Sequence, residues 1–224
     1  MDWNAFLLTL KLAVAVCALL ILIGLPIAYW LAFSRWRGKF LVEAIVGLPL
    51  VLPPTVLGFY ILVGFGPNSV LGQAWQKIVG SPLPFTFQGL VFASVLYSLP
   101  FMVQPVAAAF SSVDPKLIGA SSTLGSSRWT TFRRVLLPLS LGGVLTGIVL
   151  SFAHTLGEFG VVLMVGGNIP GRTRTVSISI YDQVQALNYE GAAKTSFTLL
   201  LLSFTILALI YGWNRRSTLW PRPQ

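Results

Sequence analysis

The chain alternates long apolar runs with short polar segments. Five runs reach the length of about 20 predominantly apolar residues that a helix needs to cross a bilayer. A sixth run, 156–167, has only about a dozen residues, a length that favours a re-entrant or partly inserted segment. The pattern predicts an all-α integral membrane protein with about five transmembrane helices. The five long runs are Ala5–Phe33, Phe40–Phe65, Phe87–Phe110, Val135–Ala153 and Ser196–Trp213.

Composition agrees with this class of protein. Of the 224 residues, 55% are hydrophobic and 9% are charged, whereas a soluble domain usually carries about a quarter charged residues. The net charge of +9 would indicate nucleic acid as the partner of a soluble protein. Here the cations flank apolar runs, so we predict contact with membrane lipid and none with nucleic acid.

Lys and Arg accumulate on the cytoplasmic side of membrane proteins. If the N-terminus is outside and the C-terminus inside, ten cations lie inside and four outside, with Lys11 within the first run. This bias predicts a multi-pass membrane protein in that orientation. The inner set is Arg35, Arg37, Lys39, Lys116, Arg128, Arg133, Arg134, Arg215, Arg216 and Arg222, and the outer set is Lys77, Arg172, Arg174 and Lys194.

A polar segment of about residues 111–134 separates the third and fourth runs and falls on the predicted cytoplasmic side. Asp114 followed by Pro115 is typical of a helix start, with Asp as N-cap and Pro at the first helical position. Gly125 supplies the positive φ that ends many helices. Ser126 or Ser127 then caps a second helix, which we expect to run through Arg134 until Pro138 perturbs it. From capping alone, an ordinary interhelical loop and a docking helix are equally good interpretations.

The order of residues in this segment resembles the cytoplasmic "EAA" loop of ABC importer permeases. The similarity covers Gly119-Ala120, Leu124-Gly125 and Leu137-Pro138, although Gly-Ala-Ser stands where many members have Glu-Ala-Ala. In that family the loop is a coupling helix that docks into a groove on the ATP-hydrolysing subunit. The resemblance therefore implies a coupling role for Asp114, Lys116, Leu117, Gly119, Ala120, Leu124 and Gly125.

Residues for catalysis are poorly represented. The chain has no GxxxxGK[ST] phosphate-binding loop, so an ATP-driven process would need a separate motor subunit. The single histidine, His154, has no cysteine partner for a metal site, and the single cysteine, Cys17, lies within the first run. We expect no catalytic, cofactor or metal site in this chain.

Polar residues and prolines inside the runs are candidates for a translocation pathway. Pro53 and Pro54 interrupt the second run beside Thr55, and Gln104 precedes a proline in the third. Proline frees backbone carbonyls and kinks helices, and polar groups at membrane depth often mark a pathway. Fitting one helix around another, or a hydrogen bond to a neighbouring helix, explains the same residues equally well.

The predicted outer region, about residues 154–195, carries three further pathway candidates: Glu158, Asn168 and Arg172. Its segments LGEFG, GGNIPGRTRT and SISIYD, together with LPLVLPPTVLGFYIL in the second run, resemble the permease subunits of molybdate ABC transporters. Sulfate and tungstate permeases share the GGN-like region. His154 is a departure, since many relatives are expected to have Arg there.

The resemblance implies one permease domain over residues 1–224 with a type I ABC importer permease fold. It further implies a location in the bacterial cytoplasmic (inner) membrane, a homodimer, two ATP-binding subunits that hold ATP and Mg²⁺, and a periplasmic or extracytoplasmic molybdate-binding protein. A permease for tungstate, sulfate or thiosulfate is the alternative within this class. A secondary transporter or channel is the alternative outside it, although such proteins commonly show an internal repeat or intramembrane acids and neither is evident here.

Overall fold

The computed structural model describes residues 2–216, and every regular element in that range is helical. Arg222, one of the ten predicted inner cations, lies outside the described residues. A 3₁₀ turn occupies Leu48–Leu50 and a π-helical stretch occupies Phe132–Leu136. The α-helices are α1 (Trp3–Phe33), α2 (Lys39–Gly47), α3 (Pro54–Gly64), α4 (Val70–Val79), α5 (Phe87–Ser111), α6 (Pro115–Thr123), α7 (Arg128–Thr131), α8 (Leu137–Leu139), α9 (Leu141–Gly157), α10 (Gly160–Gly166), α11 (Val176–Gln185) and α12 (Tyr189–Arg216).

Three single helices are long and apolar enough to cross a membrane: α1, α5 and the part of α12 from Tyr189 to Leu209. Two helix pairs reach that length only together. Lys39–Leu50 and Pro54–Gly64 meet at 108°, and Arg128–Leu139 and Leu141–Gly157 meet at 72°. The chain is therefore a multi-pass membrane protein, and the five predicted spans are present if each bent pair counts as one.

The break that the prolines of the second run predict is present and sharp. The 3₁₀ turn ends at Leu50, and α3 begins only at Pro54, with Pro53 as its N-cap. Proline has no N–H to donate to a preceding turn and disfavours helical backbone in the residue before it. Two consecutive prolines therefore end one helix and start another in a new direction.

The second helix of the polar segment differs from the expectation. Regular α-helix lasts only from Arg128 to Thr131, and the π-helical stretch follows, in which the N–H of Leu137 bonds the carbonyl of Phe132. Pro138 explains the change, because it cannot donate to the carbonyl four residues back and its ring collides with that carbonyl. Widening the preceding turn relieves the collision, and the chain then bends at Ser140, between α8 and α9.

The core lies where α1, α5 and α9 pack together. Leu12 and Leu20 of α1 and Met102 and Val106 of α5 are fully buried there. Gly147 lets α9 approach α5 closely, since a Cβ on it would lie 2.9 Å from Sδ of Met102. Small residues commonly permit such approaches between membrane helices.

A second packed unit joins α3, α10 and the first half of α5. Ile61, Ala93, Val161 and Val165 form its buried centre. The broken second run and the short sixth run are thus held against each other. Their position is set by tertiary packing as well as by the prolines.

The helix α1 runs from one end of the subunit to the other. At its start, the hydroxyl of Thr9 accepts from the N–H of Val176 at 2.9 Å. At its end, the ring of Tyr29 meets Phe132 edge-on at 5.7 Å. Its 31 residues correspond to about 45 Å at 1.5 Å per residue. The loop before α11 and the segment containing α6 and α7 therefore lie at opposite ends.

Candidate functional site

The polar segment contains the predicted capped helix. The carboxylate of Asp114 accepts from the N–H of Lys116 at 2.8 Å, and Pro115 occupies the first turn. The helix predicted between its N-cap Asp114 and Gly125 is observed as Pro115–Thr123. Local capping chemistry is therefore sufficient to start α6 where the sequence indicates.

Gly125 ends α6 as predicted, with φ of +77°. The N–H of Ser126 bonds the carbonyl of Ser121 at 3.1 Å, and the N–H of Gly125 bonds that of Ser122 at 3.0 Å. These are the paired bonds of a Schellman motif, which requires a left-handed residue at this position. Ser127 then caps α7, its hydroxyl accepting from the N–H of Thr130 at 3.2 Å. A tight turn thus joins two short helices.

Within the subunit, α6 has no buried residue. Leu124 is 85% exposed and Leu117 is 47% exposed, which is unusual for leucines on a short polar helix. Two contacts attach α6 to the rest of the subunit. Ile118 packs on the hydrophobic core, and the hydroxyls of Ser121 and Thr131 form a hydrogen bond of 2.9 Å. All seven residues for which a coupling role is predicted are exposed, and we name this set the coupling surface: Asp114, Lys116, Leu117, Gly119, Ala120, Leu124 and Gly125.

Trp129 is a further exposed apolar residue beside the coupling surface, and it is not among the residues predicted to couple. Its ring is 68% exposed and stacks on Phe132 at 5.5 Å. A tryptophan in a polar segment away from any apolar run is the signal that identifies it. The two short helices therefore present three large apolar side chains, a pattern that favours a protein partner.

The pathway candidates of the second run lie at the start of α3. Pro53 and Thr55 are exposed, and Pro54 is half-buried. A Cβ on Gly160 would lie 2.7 Å from Cβ of Pro54, so the start of α10 touches this break. The structure thereby brings the prolines and Thr55 near the chain segment that contains Glu158.

Gln104 lies elsewhere. Its side chain is exposed on α5 and lies beside the end of α2. A Cβ added to Gly47 would be 3.9 Å from Nε2 of Gln104. Ser94, on the same helix, lies about 15 Å away at 1.5 Å per residue. Gln104 therefore belongs to a different depth of the subunit from Ser94.

Glu158 lies at the junction of α9 and α10 and is only 5% exposed. Within the described subunit neither carboxyl oxygen has a hydrogen-bond partner, and the hydroxyls of Ser94 and Ser151 have none either. One turn away, Ser98 and Thr155 hydrogen-bond at 3.3 Å. The facing sides of α5 and α9 therefore carry buried polar groups, which cost free energy unless they are satisfied.

His154 packs against aromatic rings, as expected of a structural residue. Its ring stacks on Phe101 at 4.1 Å and lies 5.0 Å from Tyr97. Among residues 2–216, no three His, Cys, Asp or Glu side chains are grouped as a metal site would require.

Asn168 belongs to a polar network that the sequence did not reveal. Its carbonyl oxygen accepts from Nε of Arg174 at 2.6 Å, and its amide donates to Asp182. Arg174 in turn lies 3.4 Å from the same carboxylate. The network fastens the turn after α10 to α11. A side chain held this way fixes the shape of the loop.

We expect Asp182→Ala to loosen this turn. Charge-assisted hydrogen bonds of partly exposed groups contribute about 1 kcal/mol, so amide hydrogen exchange over residues 168–174 should accelerate about fivefold. Glu190→Ala is the matched control, because its pair with Lys194 is well exposed, with side-chain accessibilities of 80% and 68%. Unchanged exchange in Asp182→Ala would contradict the structural role of the network.

Arg172 points away from that network. It is exposed and lines a cavity of about 820 Å³ together with Lys11 of α1 and the polar residues Ser81 and Gln88. Two cations on one cavity produce a positive potential that attracts anions. Lys11, which lies within the first run, therefore joins Arg172 as a candidate at this cavity.

Comparison with known proteins gives a consistent result over nearly the whole chain. Residues 12–218 match the family model described as binding-protein-dependent transport system inner membrane component. The molybdenum transport system permease protein ModB of Azotobacter vinelandii is 50% identical over 96% of this chain and 95% of that protein. The protein of the same name from Escherichia coli K12 is 38% identical over 96% and 94%. A sulfate transport system permease protein, CysT of Escherichia coli K12, is 32% identical over 86% and 71%.

Solved structures show the same fold at low sequence identity. A chain of a bacterial ABC transporter that imports the acidic polysaccharide alginate has a TM-score of 0.75 at 20% identity, covering 96% of this chain and 80% of that one. A chain of the methionine ABC transporter MetNI has a TM-score of 0.67 at 21% identity, covering 96% and 94%. These similarities concern the fold, which is that of ABC importer permeases as predicted.

Proposed function

Since the chain belongs to the family of binding-protein-dependent transport system inner membrane components, we propose that it is the membrane-spanning permease subunit of an ATP-driven molybdate importer. The observation that carries this proposal is the 50% identity with the Azotobacter vinelandii molybdenum permease over nearly the full length of both proteins. Three sulfate transport permeases compared with this chain are less similar, at 33%, 30% and 32% identity. Membership of a binding-protein-dependent family argues against a secondary transporter or channel.

The subunit is non-catalytic, and a separate subunit hydrolyses ATP. We assign ATP and Mg²⁺ to two such subunits, which would dock on the two copies of α6 in a homodimer. The exposed apolar side chains of Leu117, Leu124 and Trp129 favour this role, because they would be covered only by a partner. The small residues Gly119 and Ala120 would allow that partner to approach the helix backbone.

The proposed orientation has the N-terminus outside and the C-terminus inside. The end of the subunit with α6 and α7 also carries Arg35, Arg37, Arg133 and Arg134, which agrees with the positive-inside rule. The opposite end, with Arg172 and the turn before α11, would then face the extracytoplasmic binding protein.

Short connections join α6, on which the ATP-binding subunit would dock, to the membrane helices α5 and α9. Only Ser112 and Val113 separate α5 from the N-cap of α6, and α7 continues through the π-helical stretch toward α9. A movement of α6 would therefore displace α5 and α9 together. Because α5 and α9 pack closely at Gly147, we expect them to move as a rigid pair and so alternate access to the pathway.

The pathway candidates have different roles in this proposal. Arg172 and Lys11 would attract the anion at the outer mouth, whereas Pro53, Pro54 and Thr55 would shape the passage at the break before α3. Gln104 would contribute a polar group at another depth. Asn168 and Glu158 would act indirectly, through the outer turn and the junction of α9 and α10. A passage with few fixed cations suits an importer, because a strongly binding site would retain the anion.

Stimulation of ATP hydrolysis tests this function. The complex of this chain with its ATP-binding subunit, reconstituted in lipid with the cognate binding protein, should hydrolyse ATP faster when molybdate is present than when it is absent. Sulfate at the same concentration is the matched control and should leave the rate at its basal value. Stimulation by sulfate alone would move the assignment to the sulfate permeases, and stimulation by neither anion would contradict it.

A further inference from the structure

A cavity of about 610 Å³ lies behind α6, between that helix, the end of α1 and α7. Its lining includes two arginines, one shortly after the end of α1 and one at the start of α7. Four aromatic residues of α1 and of the π-helical stretch also line it. These six residues are Arg35, Arg128, Tyr29, Trp30, Phe33 and Phe132.

The two arginines are available for an anion. Both are exposed, and over residues 2–216 neither has a carboxylate oxygen within 4.0 Å, since the ion pairs found there join Lys39 to Glu43, Arg174 to Asp182 and Lys194 to Glu190. A guanidinium presents a planar fork of donors that matches phosphate oxygens. Two such groups on one cavity favour a phosphate ligand.

The aromatic wall distinguishes a lipid from a free ion. Tyr29 packs edge-on against Phe132 at 5.7 Å and against Phe110 at 6.4 Å, so aromatic rings give the cavity an apolar part beside the arginines. Trp30 and Trp36, whose rings lie 6.0 Å apart, stand near the end of an apolar membrane helix, where tryptophan marks the headgroup level. A phospholipid uses both surfaces, with its phosphate on the arginines and its glycerol and upper acyl carbons on the rings.

We propose that this cavity binds the headgroup of an anionic phospholipid from the cytoplasmic leaflet. Basic pockets beside membrane helices on that side are suited to anionic headgroups. The leaflet rests on the orientation given under the proposed function, whereas the binding itself does not depend on transport.

The bound lipid would contact α6. Ile118 and Ser122 line the cavity, and on a helix of 100° per residue they face away from Leu117 and Leu124. An occupied cavity would therefore brace the back of α6 while its front remains free for the motor. The lipid would keep α6 fixed relative to α1.

Lipid titration of the full chain, purified and delipidated in detergent, tests the proposal. Native mass spectrometry should show tighter binding of phosphatidylglycerol than of phosphatidylcholine. The double variant Arg35→Gln, Arg128→Gln should weaken binding of phosphatidylglycerol about tenfold or more. The double variant Arg35→Lys, Arg128→Lys should retain most of it, because the charges remain.

Arg37→Gln with Arg133→Gln is the matched control, since it removes two nearby cations that do not line the cavity. This control should bind phosphatidylglycerol like the wild type. Equal binding of the two lipids, equal loss in the control, or displacement of phosphatidylglycerol by equimolar inorganic phosphate would each overturn the proposal. So would loss of the ATP-binding subunit from the Arg35→Gln, Arg128→Gln variant with lipid binding unchanged, because the cavity would then belong to the motor interface. A failure of molybdate to stimulate ATP hydrolysis would leave these binding results unaffected, so the two proposals fail separately.

Discussion

Leu124→Asp should abolish capture of the ATP-binding subunit in detergent. Leu124 is 85% exposed at the end of α6, and the proposed docking would bury it against the motor. An unpaired carboxylate buried in an interface costs several kcal/mol, so we expect association to weaken about 100-fold or more. Co-purification of the ATP-binding subunit on a tag placed on this chain measures the effect.

Leu187→Asp is the matched control. Leu187 is also a highly exposed leucine, at 73%, but it lies between α11 and α12 at the other end of the subunit. Its φ of +57° is tolerated better by Asp than by Leu, so the change should not harm folding. The control should capture the ATP-binding subunit like the wild type. Normal capture by Leu124→Asp would contradict the coupling assignment.

Gly125→Asp should act in the same direction through the turn. A Cβ added at position 125 would meet no atom within 4 Å, but residues other than glycine rarely adopt the backbone φ of +77° found there. The variant adds a charge beside Leu124 and should still insert into the membrane. Gly125→Asn isolates the effect of the charge, because Asn and Asp both accept left-handed backbone and Asn is neutral, so it should retain most of the association.

Gly143→Ala should destabilise the subunit strongly. A Cβ at this position would overlap the side chain of Ala109 and lie 2.8 Å from the carbonyl oxygen of Pro105. Backbone atoms of α5 cannot move aside as a flexible side chain would, so α9 must shift away from it. Overpacking of this kind costs about 1–3 kcal/mol. Thermal unfolding in detergent, followed by tryptophan fluorescence, should show a lower Tm.

The neighbouring residue provides the control for this experiment. A Cβ on Gly142 would meet nothing within 4 Å inside the subunit. Since Ala favours helix over Gly by about 1 kcal/mol, Gly142→Ala should keep or raise the Tm. Equal Tm values for the two variants would show that α5 and α9 do not approach as closely as described.

Local chemistry made α6 predictable from the sequence. Asp114, Pro115 and Gly125 act on atoms only a few residues away, so their effects do not depend on the rest of the fold. The long apolar runs were predictable for a similar reason, since bilayer thickness sets their length. Family resemblance then supplied a role for α6 that capping alone left open.

Features that depend on distant residues could not be predicted. The prolines before α3 predict a break, but its 108° angle also reflects the packing of α10 on α3, where a Cβ on Gly58 would lie 2.6 Å from Cβ of Met164. The network of Asn168, Arg174 and Asp182 joins a loop to the next helix. No spacing rule identifies such partners in a single sequence.

The π-helical stretch shows a limit even for local rules. Pro138 predicts a perturbed helix, yet the chain has two ways to accommodate a proline: a kink at the proline or a widened turn before it. The structure has the widened turn over Phe132–Leu136 and places the bend at Ser140. Ser140 also bonds the carbonyl of Ala109 on α5 at 3.3 Å, so the position of the bend is fixed partly by a neighbouring helix.

ATP-dependent release of radiolabelled molybdate from proteoliposomes decides whether this chain carries the anion when a separate subunit hydrolyses ATP. The vesicles would contain the complex with its ATP-binding subunit facing outward, ATP outside and the binding protein with molybdate enclosed, so that transport appears as loss of label from the lumen. Wild-type complex should release molybdate only with ATP, and complex assembled with Leu187→Asp should do the same. Vesicles prepared with Leu124→Asp should retain the label. Release without ATP, or equal release by the Leu124→Asp preparation, would contradict transport driven through α6.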